Sequence, residues 1–141
     1  FLMCREVVPS MKEQEYGRIV NIASITGKQP LKDRLPYATS KMGVIGLTRT
    51  LATEIGKYDI NVNAVCPGAV DGPRMVNVIK QEAEASGAKP KEIRRSYETE
   101  AALDTLVSRE DVASLVSFLC SEAAKNITGQ DINVDAGTIM E

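Results

Sequence analysis

Two short runs, Arg18-Ile19-Val20-Asn21-Ile22-Ala23 and Ile60-Asn61-Val62-Asn63-Ala64-Val65-Cys66, constrain the fold of this chain more than any other feature. Both are short, apolar and rich in β-branched residues, as expected of strands buried on both faces of a parallel sheet. Parallel strands need a crossover of a dozen or more residues, usually helical. Segment 37–57 supplies one, with Val44, Leu47, Leu51 and Ile55 as a helical stripe and the small residues Ala38, Gly43 and Gly46 permitting close approach. Upstream, 1–13 carries Phe1, Cys4, Val7, Val8 and Met11 at helical spacing, and Pro9 is expected to bend or shorten its final turn. Downstream, Pro73 opens a helix in the first-turn position proline favours, and Gly87 stops it. Residues 88–107 are charged and weakly patterned. Ser108-Arg109-Glu110-Asp111 reads as a capping box with Asp in place of Glu, ahead of Val112, Leu115, Val116 and Leu119. Asp131-Ile132-Asn133-Val134 reads as a last short strand. The order helix, strand, helix, strand, helix, helix, strand predicts an α/β fold: a doubly wound parallel sheet.

Composition removes several function classes. With 17 Lys and Arg against 19 Asp and Glu in 141 residues, the net charge of -2 offers no basic field for nucleic acid or an anionic membrane. No apolar run approaches the roughly 18 residues a bilayer span needs. The first residues show no signal-peptide organisation. Cys4, Cys66 and Cys120 lie far apart, with neither disulfide nor metal-ligand spacing, and read as reduced thiols of a cytoplasmic protein. Histidine is absent. That removes the commonest general base and metal ligand, together with any Ser-His-Asp or Cys-His mechanism.

Proton chemistry therefore needs another group, and Tyr37-Ala38-Thr39-Ser40-Lys41 offers one. Four residues apart, Tyr37 and Lys41 share a helix face. An ammonium about 4 Å from a phenolate, at an effective dielectric near 20, favours it by about 4 kcal/mol. Ser24 stands 13 residues before Tyr37, at the end of the preceding strand. Pro67-Gly68 stops the next strand at the same edge, and ligands of doubly wound sheets bind outside the carboxyl ends of the strands. A hydroxyl there can hold a carbonyl oxygen by a hydrogen bond that strengthens as negative charge develops. Taken singly these features are ordinary: a solvated helix pair, a turn-capping serine, a strand terminator. Their joint spacing points to a site.

With these residues the chain resembles the short-chain dehydrogenase/reductase family. Gly17 to Ser24 resembles the strand before its serine, and Tyr37 to Lys41 its Tyr-x-x-x-Lys signature. Asn61 to Gly68 resembles its strand-to-cofactor turn, and Ile127 to Gly137 its terminal strand. Among subfamilies the pattern is most similar to 3-oxoacyl-carrier-protein reductases and sugar or polyol dehydrogenases. The resemblance implies a Rossmann-type fold and hydride transfer between NAD or NADP and a small-molecule carbonyl or alcohol. It implies Tyr37 as acid and base, Ser24 as substrate-orienting group, and Lys41 on the nicotinamide ribose. Pro67, Gly68 and Val70 would meet the nicotinamide. It further implies a substrate lid over about 71–107, and a homo-oligomer, tetramer or dimer, built on 1–13 and 37–57.

Two departures from the pattern are visible. Gly72 stands where the family carries a cofactor-contacting Thr, so its backbone N–H or Arg74 is the expected substitute. The glycine-rich pyrophosphate loop, the Asn-Asn-Ala-Gly segment and the catalytic Asn are not within residues 1–141. The chain is accordingly read as part of one NAD(P)-binding domain that lacks its N-terminal strands. It is expected to bind NAD(P) weakly and to be inactive by itself. A non-catalytic scaffold or sensor of the same fold is the alternative. Arg94-Arg95 reads as a solvated face rather than a substrate anchor, and Met75, Val76 and Ile79 as inward-packing lid residues.

Overall fold

Strand β1 (Gly17–Ile22), strand β2 (Ile60–Pro67) and strand β3 (Asp131–Val134) form a parallel sheet in the order β1-β2-β3. The structure, a computed structural model, describes residues 1–140. Gly17 pairs with Ile60 and Ile22 with Val65 across the first ladder, while Ala64 pairs with Asp131 and Pro67 with Val134 across the second. Central β2 is covered on both faces, and Val62, Ala64, Val65 and Cys66 are 0% exposed. Asn61 donates to the Lys125 carbonyl at 3.0 Å while its side-chain oxygen has no hydrogen-bond partner among the described residues, and Asn63 donates to the carbonyl of Ile127 at 2.7 Å and accepts from the Gln130 amide at 3.0 Å. A buried amide so paired loses little on leaving water.

One face carries helix α1 (Leu2–Gln14) and helix α2 (Leu35–Ile55), whose Cys4, Val8, Ala52 and Ile55 pack with Ile19, Ile60 and Val62. The other face carries helix α5 (Arg109–Leu119), with Leu119, Val112 and Leu115 against Val20, Val65 and Ile132. Helices on both faces of a parallel sheet make this the doubly wound α/β fold expected. Helix α3 (Pro73–Ser86) and helix α4 (Pro90–Thr99) form a separate layer, where Met75, Ile79 and Leu106 pack with Ile93 and Tyr97. No helix among the described residues is long and apolar enough to cross a membrane.

Several sequence expectations need correction. Pro9 does not shorten α1, which runs to Gln14 and ends where Glu15 adopts a left-handed φ of 49°. Helix α2 starts two residues earlier than expected and gives way after Ile55 to a 3-10 turn, Gly56–Tyr58. Its buried seam is Ala38, Ile45, Thr48, Ala52 and Ile55, while Val44, Leu47 and Leu51 are only partly buried. The close-packed seam selects small residues, and Thr48 is accommodated by accepting from Asn21 at 2.9 Å and donating to the Val44 carbonyl at 2.8 Å. Val76 is exposed rather than inward-facing. The weakly patterned 88–107 contains a real helix, α4, none of whose residues is fully buried.

Candidate functional site

Chain direction places the site. β1 and β2 run parallel, so Ser24 just beyond β1 and Pro67-Gly68 at the end of β2 lie on one edge of the sheet. Ser24 is extended, with φ -173° and ψ 155°, and caps the 3-10 turn Ile25–Gly27, its hydroxyl accepting from the Thr26 amide at 3.2 Å. That acceptance leaves the hydroxyl proton available. The turn presses against α2, since a Cβ on Gly27 would meet the Lys41 backbone at 2.9 Å. Only glycine permits this approach, which fixes Ser24 against the helix that carries Tyr37 and Lys41.

Tyr37 and Lys41 occupy successive turns at the start of α2. The Lys41 ammonium lies 5.7 Å from the centroid of the Tyr37 ring and donates to the Ile22 carbonyl at 2.8 Å, tying α2 to the end of β1. An ammonium has three protons, so two remain for a ligand. The Arg74 guanidinium lies 5.4 Å from the same ring centroid, within the range of a cation–π contact. It is therefore held at the phenol.

Beyond β2 the chain is steered by two contacts. The Gly68 amide donates to the Val134 carbonyl at 3.0 Å, and a Cβ at Gly68 would meet the Cα and Cβ of Asp135 at 2.9 Å. Val70 then forms an isolated parallel bridge with Val107: Val107 donates to the Ala69 carbonyl at 2.9 Å and accepts from the Asp71 amide at 2.8 Å. Both bridging bonds use residues 69 and 71, so the amide and carbonyl of Val70 face the other way. Among the described residues they have no backbone partner. An unpaired donor and acceptor side by side match a primary carboxamide, and main-chain groups left unpaired need such a partner.

Ser24, Tyr37, Lys41, Pro67, Gly68 and Val70 all line one cleft of about 720 Å³. The structure thus brings together every site residue singled out in the sequence. It adds some that no motif marked. Buried Asp135 accepts from the amides of Gly137 and Ile139 at 3.0 and 2.9 Å, folding the tail so that Thr138 and Ile139 enter the cleft. Asp135-Ala136-Gly137 is an Asx-turn signal that could have located the bend, though not its destination. Arg109, from the start of α5, also lines the cleft.

The α3–α4 layer is braced by charge. Arg94 grips Asp71 through two hydrogen bonds at 2.8 and 3.2 Å and bonds Glu98 at 3.0 Å. The guanidinium holds the Asp71 carboxyl below the usual carboxylate range. Arg94 is neither a free solvated face nor a cleft residue; it fastens α4 to the segment after β2. On α4's inner side the Tyr97 hydroxyl donates to Glu82 at 2.7 Å, and burial with that carboxylate pushes its pKa up to about 12. Burial likewise raises the Cys66 thiol.

Residues 1–138 match the family described as enoyl-(acyl carrier protein) reductase. The chain is 36% identical over 137 residues to a 3-oxoacyl-(acyl-carrier-protein) reductase of Aquifex aeolicus, covering 97% of this chain and 51% of that protein. It is 40% identical over 131 residues to a 7alpha-hydroxysteroid dehydrogenase of Bacteroides fragilis, covering 93% and 47%. A crystal structure of a variant actinorhodin polyketide ketoreductase with NADPH superposes with a TM-score of 0.86 at 36% identity, covering 91% of this chain and 49% of that one. The chain spans about half the length of the curated relatives it matches.

Proposed function

The chain belongs to the short-chain dehydrogenase/reductase family, and from that premise we propose that its cleft reduces carbonyl groups, and oxidises the corresponding alcohols, with NAD(P)(H). One observation carries the reading. A phenol, an ammonium, a strand-end hydroxyl and an unpaired backbone amide and carbonyl share one cleft at the carboxyl edge of a parallel sheet.

When bound, the reduced nicotinamide supplies the hydride. Lys41, with two free ammonium protons, would hold the ribose hydroxyls, and Val70 with the adjoining Pro67-Gly68 backbone would hold the carboxamide. Ser24, whose hydroxyl accepts from Thr26, donates its one proton to the substrate carbonyl oxygen, a bond that shortens as charge grows on that oxygen. Tyr37 delivers the phenolic proton to the same oxygen, so that carbonyl, hydride and proton together become an alcohol. Two cations, Lys41 at 5.7 Å and Arg74 at 5.4 Å from the ring centroid, stand near the phenol as it gives up that proton. In the oxidative direction each step reverses.

Residues outside this chain would seat the pyrophosphate, since 1–141 holds no glycine-rich loop, and Asp or Arg there would decide between NAD and NADP. The α3–α4 layer would act as the substrate lid. Exposed Leu2 and Met3 on α1 and Met42 on α2 favour a homo-oligomer joined through those helices. The test is consumption of NADH and NADPH by the full-length protein with 3-oxoacyl thioesters, keto steroids and ketoses. Turnover with at least one supports the proposal. Its absence across the panel, with cofactor bound, points instead to a non-catalytic member of the fold.

A further inference from the structure

The charges around the cleft are lopsided. Arg34, Lys41, Arg74 and Arg109 line it against Asp71 and Glu100, although the whole chain carries a net charge of -2. Most of these groups are already committed. Arg34 pairs with Glu82 at 3.2 Å, Asp71 with Arg94 at 2.8 Å, and Lys41 donates to Ile22. Glu100 has no ion pair or side-chain hydrogen bond among the described residues and is the one uncommitted carboxylate of the lining. Arg74 and Arg109 are the uncommitted cations, two against the single free carboxylate of Glu100: among the described residues neither forms an ion pair or a side-chain hydrogen bond.

Their placement gives this freedom a direction. The Arg74 guanidinium lies 5.4 Å from the Tyr37 ring centroid, so whatever its donors bind lies near the phenol. The Arg109 side chain reaches over residue 72, its Cδ 3.8 Å from where a Cβ would stand on Gly72, and enters the same cleft next to the start of α3. A guanidinium offers five N–H donors in a planar fork that fits a carboxylate or phosphate.

Resting on the catalytic reading of Tyr37 above, we infer that this cleft selects carbonyl substrates bearing a second, anionic group a few bonds from the reacting carbon. Arg74 is its principal ligand, and Arg109 stands beside it. The cofactor's own phosphates are a second source of the same chemistry, and the test separates the two. Acetoacetate and levulinate are compared with their methyl esters as substrates of the full-length protein. The acids are expected to exceed the esters in kcat/KM by about ten-fold or more, the worth of one charge-assisted contact. In Arg74→Met this ratio falls toward one, and Arg74→Lys retains part of it. Arg109→Met lowers the ratio as well, which keeps the inference testable if the first variant folds poorly.

Equal use of acids and esters by the unaltered protein overturns the inference and leaves the catalytic reading standing. So does reduction of uncharged ketones with no use of either acid. Absence of turnover with any carbonyl overturns both. Fluorescence titration of NADPH provides the remaining arm. A ten-fold or greater loss of cofactor affinity in Arg74→Met, with the acid-to-ester ratio intact, assigns the guanidinium to the cofactor and refutes the substrate role.

Discussion

Asp131 is where a single neutralising change should cost most. It opens β3 with its side chain 8% exposed, and the Lys28 side chain beside it is 10% exposed. One carboxylate oxygen meets the Lys28 ammonium at 3.1 Å, and the other meets Arg49 at 2.7 Å. Lys28 also donates to the Asp131 carbonyl at 2.6 Å. Asp131→Asn preserves shape but leaves the ammonium buried without its counter-charge. Breaking a buried pair from one side typically costs about 3–5 kcal/mol. Arg49 is 62% exposed and adds little, because solvent screens it. Lys28 keeps its carbonyl partner, so the expected loss lies near about 3 kcal/mol. With a urea slope of about 1–3 kcal/mol per molar, the unfolding midpoint falls by about 1–3 M. Urea melts followed by circular dichroism read this directly. The double variant Lys28→Met with Asp131→Leu should recover most of the loss, since no lone charge remains. A loss for Asp131→Asn below about 1 kcal/mol would show the pair behaving as a surface one and refute its role as a buried ion pair.

Gly68→Ala forces a Cβ to 2.9 Å from the backbone of Asp135, so thermal melting should show a loss of about 1–3 kcal/mol, with weaker NADPH binding from the displaced turn. The Asp71–Arg94 clamp has a pH sign. The folded carboxyl titrates below its ordinary 3.8, so the contribution is present above that value and disappears as pH falls through the lower folded value. Limited proteolysis should therefore find the α3–α4 layer more open in Asp71→Asn than in the parent at neutral pH, and the difference should vanish in strong acid. Of the three cysteines, exposed Cys120 should react with a thiol reagent in the native protein, while Cys4 and Cys66 wait for unfolding. For Cys66 the raised pKa adds to its burial.

What was legible in the sequence follows from which interactions are local. The β-branched runs named β1 and β2 to within a residue, because a strand buried on both faces leaves an unbroken apolar signature. Tyr37, Lys41 and Ser24 were readable because helix pitch and strand direction convert their spacing into proximity. The seam of α2 was misplaced because tight packing against β2 favours Ala and Thr over the more conspicuous leucines. Helix α4 escaped notice because it rests on α3 through little more than Ile93 and Tyr97, too sparse a stripe to show a period. Thr138, Ile139 and Arg109 reach the cleft only through tertiary folding, by way of the Asp135 turn and the glycine at 72. No local pattern encodes that.

The proposed chemistry depends on the phenol of Tyr37. The decisive measurement is kcat of the full-length protein carrying Tyr37→Phe, taken with cofactor affinity as a control. Removal of a positioned general acid should lower kcat by about 10²–10⁴-fold while NADPH still binds. Turnover equal to that of the unaltered protein would contradict the mechanism outright.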